Sequence, residues 1–315
     1  MLRLERLLRC KALVTGLALT LTCVPHLSTT ASHGRGMNGD LLALGNAASQ
    51  ALAKIFASPA IRRSSPLSAL LVASPVALVL ALLSALVFQS PLTSSSLAWG
   101  VLAGLVGGAG LVLNFRALLY GPVAVVIPVM TCASTALLVG ASWVAEGRPA
   151  VGTLVGAVLC LGAVAVTSWG NKDERQQQHT PQTVAYALGA GVCFAGFGVI
   201  IRHGSQESSL WAVVGTRVGV LALVLVLALV RRVKVPTART AKIQASLSGV
   251  FDAAANILFV EALVFTTLAV VSVVATLTPL IAAVLAFFFL GQRLARHQIA
   301  GLAIAVIGVW LVILQ

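Results

Sequence analysis

Residues 64–115 read SSPLSALLVASPVALVLALLSALVFQSPLTSSSLAWGVLAGLVGGAGLVLNF, 52 residues without one Asp, Glu, Lys or Arg. A membrane-spanning helix needs roughly 20 mostly apolar residues. The stretch therefore holds two, split at the turn-forming run Gln89-Ser90-Pro91-Leu92-Thr93-Ser94-Ser95-Ser96. Residues 117–145, 149–171 and 262–292 are further uncharged runs. None alternates polar and apolar residues as the strands of a membrane barrel do. The chain reads as an all-α integral membrane protein that crosses the bilayer many times.

Composition agrees. Of 315 residues, 59% are hydrophobic and 9% charged, with mean hydropathy +1.01. A soluble domain is about 45–50% apolar and about 25% charged, and it needs that charge for its surface. This excludes a soluble enzyme, a nucleic-acid binder and a disordered chain. The net charge of +13 and pI near 10.8 then report membrane topology, not an acidic partner.

Ten spans follow from the turn chemistry: 41–57, 67–88, 97–119, 122–145, 150–169, 183–201, 209–230, 246–265, 268–290 and 296–314. Tyr120-Gly121-Pro122 and Thr266-Thr267 supply two of the breaks. The polar run NKDERQQQHTP at 171–181 is a linker by composition and separates five spans from five. Displacing the chain by 145 residues sets Ala117-Leu118 on Ala262-Leu263, Ala124-Val125-Val126 on Ala269-Val270-Val271, Thr131 on Thr276 and Arg148 on Arg293. Over 114–148 ten positions are identical, where this skewed composition gives about four by chance. An odd number of spans per repeat places the two halves in opposite orientation, an architecture shared by many secondary transporters. The predicted organisation is a first five-helix repeat at 37–170, the linker, and a second repeat at 182–315.

The pattern Ala117-Leu118-(x5)-Ala124, a proline in the next helix, and Glu146 before Gly152, Gly156 and Gly162 resembles the EamA family of the drug/metabolite transporter superfamily. The second half is more similar, with Arg217, Ala262-Leu263, Pro279, Leu290-Gly291-Gln292-Arg293-Leu294 and Gly301. The resemblance covers about 38–314. It implies ten helices in two inverted repeats and export of amino acids, other metabolites or drugs. The chain departs from the family pattern at Val72, where span seven has Arg217, and at Gln292, where the family often has glutamate. Span one also lacks the embedded glutamate of the small drug antiporters. Asn114-Phe115-x-Ala117, the Pro122/Pro128 spacing and Val158-Leu159-Cys160-Leu161-Gly162 are similar to NIPA-type magnesium transporters of the same superfamily. A Mg²⁺ or other cation route is therefore the alternative. Such a site needs oxygen ligands, usually carboxylates, and only Asp252 and Glu261 lie inside spans.

Lys and Arg favour the cytoplasmic side of short loops. Lys54, Arg62, Arg63, Lys172, Arg175, Arg231, Arg232, Lys234, Arg239, Lys242, Arg293 and Arg296 fall on one side, and Arg35, Arg148 and Arg202 on the other. Residue 37 and Gln315 are then expected outside, in what reads as a bacterial plasma membrane. Residues 1–36 carry Arg3, Arg6, Arg9 and Lys11, a short apolar run from Ala12 to Val24 and Thr30-Ala31-Ser32. They read either as a signal peptide or as an over-called start before Met37.

Ionisable groups inside a membrane face a cavity or a partner. Arg217 in span seven and Asp252 with Asn256 in span eight come to similar depth when those spans run antiparallel. Two readings stand: Arg217 holds a substrate carboxylate while Asp252 gates it or carries a proton, or the two form a permanent helix-stitching pair. Asn46, Gln50 and Lys54 share one face of span one. Gln50 and Asn46 are expected along the pathway and Lys54 at the cytoplasmic interface. Asn114 and Trp211 are further lining candidates. Arg116 and Glu261 are gate candidates near opposite faces, or else interfacial side chains. Gly100, Gly104 and Gly108 read as a packing ridge. Pro128 and Pro279 each interrupt a span. The five cysteines lack metal spacing, and no HExxH, Walker A or GxSxG motif is present. Neither cofactor, metal nor enzymatic activity is expected; a non-transporting membrane enzyme or scaffold stands as a further alternative behind the magnesium route. The expected partners are a small-molecule substrate and the lipid bilayer, without nucleic acid, and with a homodimer left open.

Overall fold

A computed structural model describes residues 35–120, 123–169, 181–290 and 296–313. Among them every regular element is an α-helix: α1 (Arg35–Arg63), α2 (Pro66–Val87), α3 (Ser94–Tyr120), α4 (Val123–Glu146), α5 (Val151–Trp169), α6 (Pro181–Gly204), α7 (Ser209–Arg231), α8 (Arg239–Phe265), α9 (Leu268–Ala275), α10 (Thr278–Leu290) and α11 (Arg296–Ile313). The segment 1–34, the linker residues 171–180, the Gly121-Pro122 turn and the Gly291–Leu294 motif lie outside the described residues.

Six helices are long and apolar enough to cross a membrane: α2, α3, α4, α6, α7 and α8. Helix α1 is long, but Asp40, Asn46, Gln50 and Lys54 lower its hydropathy. The apolar parts of α5, α9 with the start of α10, and α11 are shorter. Large apolar side chains such as Val87, Val144, Val158, Leu229 and Val230 stand exposed on the outside. In water that surface would be unstable; against lipid tails it costs nothing.

Small residues set the helix contacts. A Cβ on Gly100 would lie 2.2 Å from the Ala212 carbonyl oxygen, and one on Gly104 2.2 Å from that of Thr216. Facing them, Gly215 and Gly219 meet the carbonyls of Leu97 and Val101 equally closely. Helices α3 and α7 therefore touch backbone to backbone, the close approach that small residues allow. The glycine ridge expected in α3 is a packing device, and its partner ridge lies on α7. Other large contacts join α1 with α8, α3 with α6, α5 with α11 and α4 with α6. Helix α2 packs on both α7 and α8, and α9 on both α4 and α1.

The two prolines behave differently. Pro128 sits inside α4, which continues through it, so it does not interrupt the span as expected. The span 268–290 does break, at Thr276-Leu277, just ahead of Pro279. Pro279 has no N–H to give the Ala275 carbonyl. The Thr278 hydroxyl donates to that oxygen instead, at 2.8 Å. The break is thus built from a proline and the hydroxyl that compensates it.

Candidate functional site

A cavity of about 390 Å³ opens among the helices at mid-length. Every helix from α1 to α10 except α5 contributes to its wall. Asn46, Gln50, Asn114, Arg217, Asp252 and Asn256 all line it. Polarity inside apolar spans points to these six, which lie on four different spans.

Helix geometry aims Arg217. Gly215 and Gly219 face α3. Two residues along a helix is about 200°, so Arg217 points away from α3 and towards α8. It pairs with the Asp252 carboxylate through Nη1 and donates through Nη2 to the Asp252 backbone oxygen at 2.8 Å. The two contacts hold the guanidinium in one orientation, and Arg217 is only 4% exposed. Asp252 keeps more than a third of its side chain open on the cavity wall. Gln50 Nε2 stands 3.5 Å from Asp252 Oδ1, and Asn256 Nδ2 donates to the Asp252 backbone oxygen at 3.1 Å. One carboxylate residue thus collects side chains from α1, α7 and α8.

The polar stripe of α1 lies wholly on the cavity. Lys54, expected at the cytoplasmic interface, lines the cavity beside Asn46 and Gln50 with its side chain exposed. A helical side chain leans towards its own N-terminus, the end of α1 on which Gln50 lies.

Asn114 contributes an amide whose Oδ1 is buried without a hydrogen-bond partner. Trp211 is not part of the lining. Its indole Nε1 donates to the Ser90 carbonyl at 3.0 Å and ties α7 to the α2–α3 connection. Arg116 is exposed near the end of α3 and outside the cavity. Glu261 accepts from the Ser209 hydroxyl where α8 and α7 meet.

That contact belongs to a cluster at one end of the bundle, where α4, α6 and α8 finish. Arg202 Nε lies 2.9 Å from Glu146 Oε1, and an Arg202 Nη1–H meets the Leu263 carbonyl. Glu146 Oε2 accepts from the Leu268 backbone N–H at 2.9 Å and from the Ser142 hydroxyl. A carboxylate at a helix N-terminus is favourable in its own right, and Leu268 opens α9. The hydroxyls of Ser90 and Ser208 meet at 2.9 Å at the same end.

Sequence reasoning missed the rest of the lining, notably Phe194, Phe197, Phe259, Ser272 and Thr276. Aromatic residues in apolar spans carry no signal of which face they take. Thr276 did carry one: the 145-residue displacement pairs it with Thr131, and both line the cavity.

A search of curated proteins finds no match. A solved structure described as "Crystal structure of protein" superposes with TM-score 0.72 at 14% identity, covering 85% of this chain and 94% of that one. At that identity the likeness shows the fold alone. The model of the EamA-like transporter family matches residues 182–314. That segment holds α6 to α11, including Arg217, Asp252 and the broken span. Residues 182–314 therefore belong to the EamA-like transporter family, within the drug/metabolite transporter superfamily.

Proposed function

We propose that the chain is a secondary transporter that exports or exchanges a small organic solute by alternating access. The observation that carries this is the mid-length cavity walled by helices of both halves, with the Arg217–Asp252 pair and the α9–α10 break on its wall. Transporter sites are commonly built this way, near the midplane and beside interrupted helices.

The proposed architecture is ten membrane helices in two inverted repeats, with α9 and α10 counted as one interrupted span. The packing supports it. Exchanging the halves turns α1-on-α8 into α6-on-α3, α2-on-α8 into α7-on-α3, and α4-on-α6 into α9-on-α1. Each of these contacts occurs. The charge bias favours Gln315 outside, which makes the Glu146–Arg202 end the outer one. The cross-links there support a closed outer end and a cavity served from the cytoplasm. Lys54 on the wall disfavours the magnesium route, since a cation beside the cavity repels a divalent one.

The test is flux in one expression host, with amino acids, other metabolites, cationic drugs and Mg²⁺ offered in parallel. Arg217→Gln is expected to abolish flux of the accepted solute while the protein still reaches the membrane. Flux of none of them sinks the reading. A reporter fused at Gln315 that works only in the cytoplasm reverses the orientation.

A further inference from the structure

The cavity carries one cation whose charge no neighbouring carboxylate fully matches. Arg217 gives both terminal nitrogens to Asp252, one to its carboxylate and one to its backbone oxygen, and its buried Nε has no partner among the described residues. Among the described residues Asp252 is the sole acidic one in the lining, and Lys54 has no ion pair and no hydrogen bond. Two cations against one carboxylate leave the cavity with one net positive charge, at Lys54. An ammonium on the cavity wall without a full counter-charge attracts an anion.

The remaining wall fixes the other end of the ligand. Phe197 and Phe259 lie with ring centroids 5.9 Å apart, and Phe194 lines the same cavity. Phe259 is seven residues beyond Asp252 on α8, roughly 10 Å along the axis. Gln50 sets the level of Lys54 against Asp252. A ligand whose carboxylate meets Lys54 and Gln50 near the Asp252 level carries its ring towards phenylalanines roughly 10 Å further along the axis.

We propose that the substrate is a monoanionic organic acid with a flat apolar body, its carboxylate bound by Lys54 and Gln50 and its ring by Phe194, Phe197 and Phe259. This rests on the transporter reading of the same cavity. It departs from a zwitterionic substrate in a specific way. An α-ammonium group has to share the Asp252 carboxylate with Arg217 and Gln50, and it adds a further cation beside Lys54. The carboxylate of the substrate therefore falls to Lys54 and not to Arg217.

The charge requirement is tested by direct binding to the purified full-length protein in detergent, by titration calorimetry. Three probes share one skeleton: 3-phenylpropanoate, L-phenylalanine and 3-phenylpropylammonium. Like charges set side by side weaken binding, so 3-phenylpropanoate is expected to bind roughly tenfold tighter than L-phenylalanine or better, with no measurable binding of the amine. Lys54→Gln is expected to weaken the acid by roughly tenfold or more, and Lys54→Arg to keep it within a few-fold. The wild-type probe series stands even if a variant fails to fold. Equal or tighter binding of L-phenylalanine, no binding of the acid, or an unchanged affinity in Lys54→Gln each overturns the proposal. Proteoliposome counterflow separates the two readings. Lys54-dependent binding without flux breaks the transporter reading and leaves the acid site standing. Flux of another solute with no acid binding does the reverse.

Discussion

Among the described residues two arginine–carboxylate pairs lie along this bundle, and they differ in almost everything but their chemistry. Arg217 and Asp252 meet at mid-length, with the arginine 5% and the aspartate 37% exposed, and the exposed part facing the cavity. Arg202 and Glu146 meet at the end of the bundle, 30% and 15% exposed. The first pair has one partner each way plus Gln50 and Asn256 on Asp252. The second is a hub whose members also hold a helix N-terminus, a serine hydroxyl and a carbonyl. A buried pair is expensive to break because the survivor stays charged in a poor solvent. The end hub is also partly buried, but it spreads its charge over several contacts, so losing one leaves the others in place. The mid-length pair is therefore suited to hold its geometry, and the end cluster to open and close.

The largest expected effect breaks the first pair from one side. Asp252→Ala leaves the Arg217 guanidinium buried without its partner and is expected to cost about 3–5 kcal/mol, read as a clear fall in melting temperature of the purified protein. The double variant Arg217→Gln with Asp252→Asn removes both charges and is expected to recover most of that loss, because neutral groups of similar shape tolerate burial. Flux is not expected to return with it. A double variant that transports normally makes the pair a helix stitch and nothing more.

The end cluster responds in the opposite sense. Glu146→Gln keeps an oxygen for the Leu268 N–H but drops the charge opposite Arg202. Its stability cost is expected within about 1 kcal/mol. Its effect on opening is larger. With the native cysteines replaced by serine, a cysteine at Ser208, buried at the same end, is expected to react at least several-fold faster with a membrane-impermeant maleimide. Unchanged labelling means the cluster does not hold that end shut.

The contrast between the pairs also separates what the sequence made legible from what it did not. Arg217 and Asp252 stood out because each is a rare charge inside an apolar run, and antiparallel spans fixed their depth. Arg202 and Glu146 sit at helix ends, where charge is ordinary, and nothing local tells which ends meet. Gln50 and Lys54 show the same limit on one helix. Spacing placed both on one face, but the direction a lysine leans depends on which way its helix runs towards water. The glycine ridge of α3 was readable as packing; its partner ridge on α7 needed the fold. Pro279 marked the span that breaks, at Thr276-Leu277, but Pro128 carried the same mark and is absorbed in α4, so proline alone did not tell the two apart.

That break links the two regions. Helix α9 has eight residues, about 12 Å. Its first N–H is held by Glu146, and its last turns, with Ser272 and Ala275, line the cavity. A rigid α9–α10 span would pull the cavity wall whenever the end cluster moved; a broken one lets α9 tilt alone. Pro279→Ala restores the missing N–H opposite Ala275 and is expected to stabilise the protein slightly, by about 0.5–1.5 kcal/mol, while slowing flux. Pro128→Ala, in a helix already continuous, is expected to leave flux close to wild type. The comparison reads out as two melting curves and two initial rates. If Pro279→Ala transports as fast as Pro128→Ala, the break is a packing accommodation, and the two ion pairs communicate by another route.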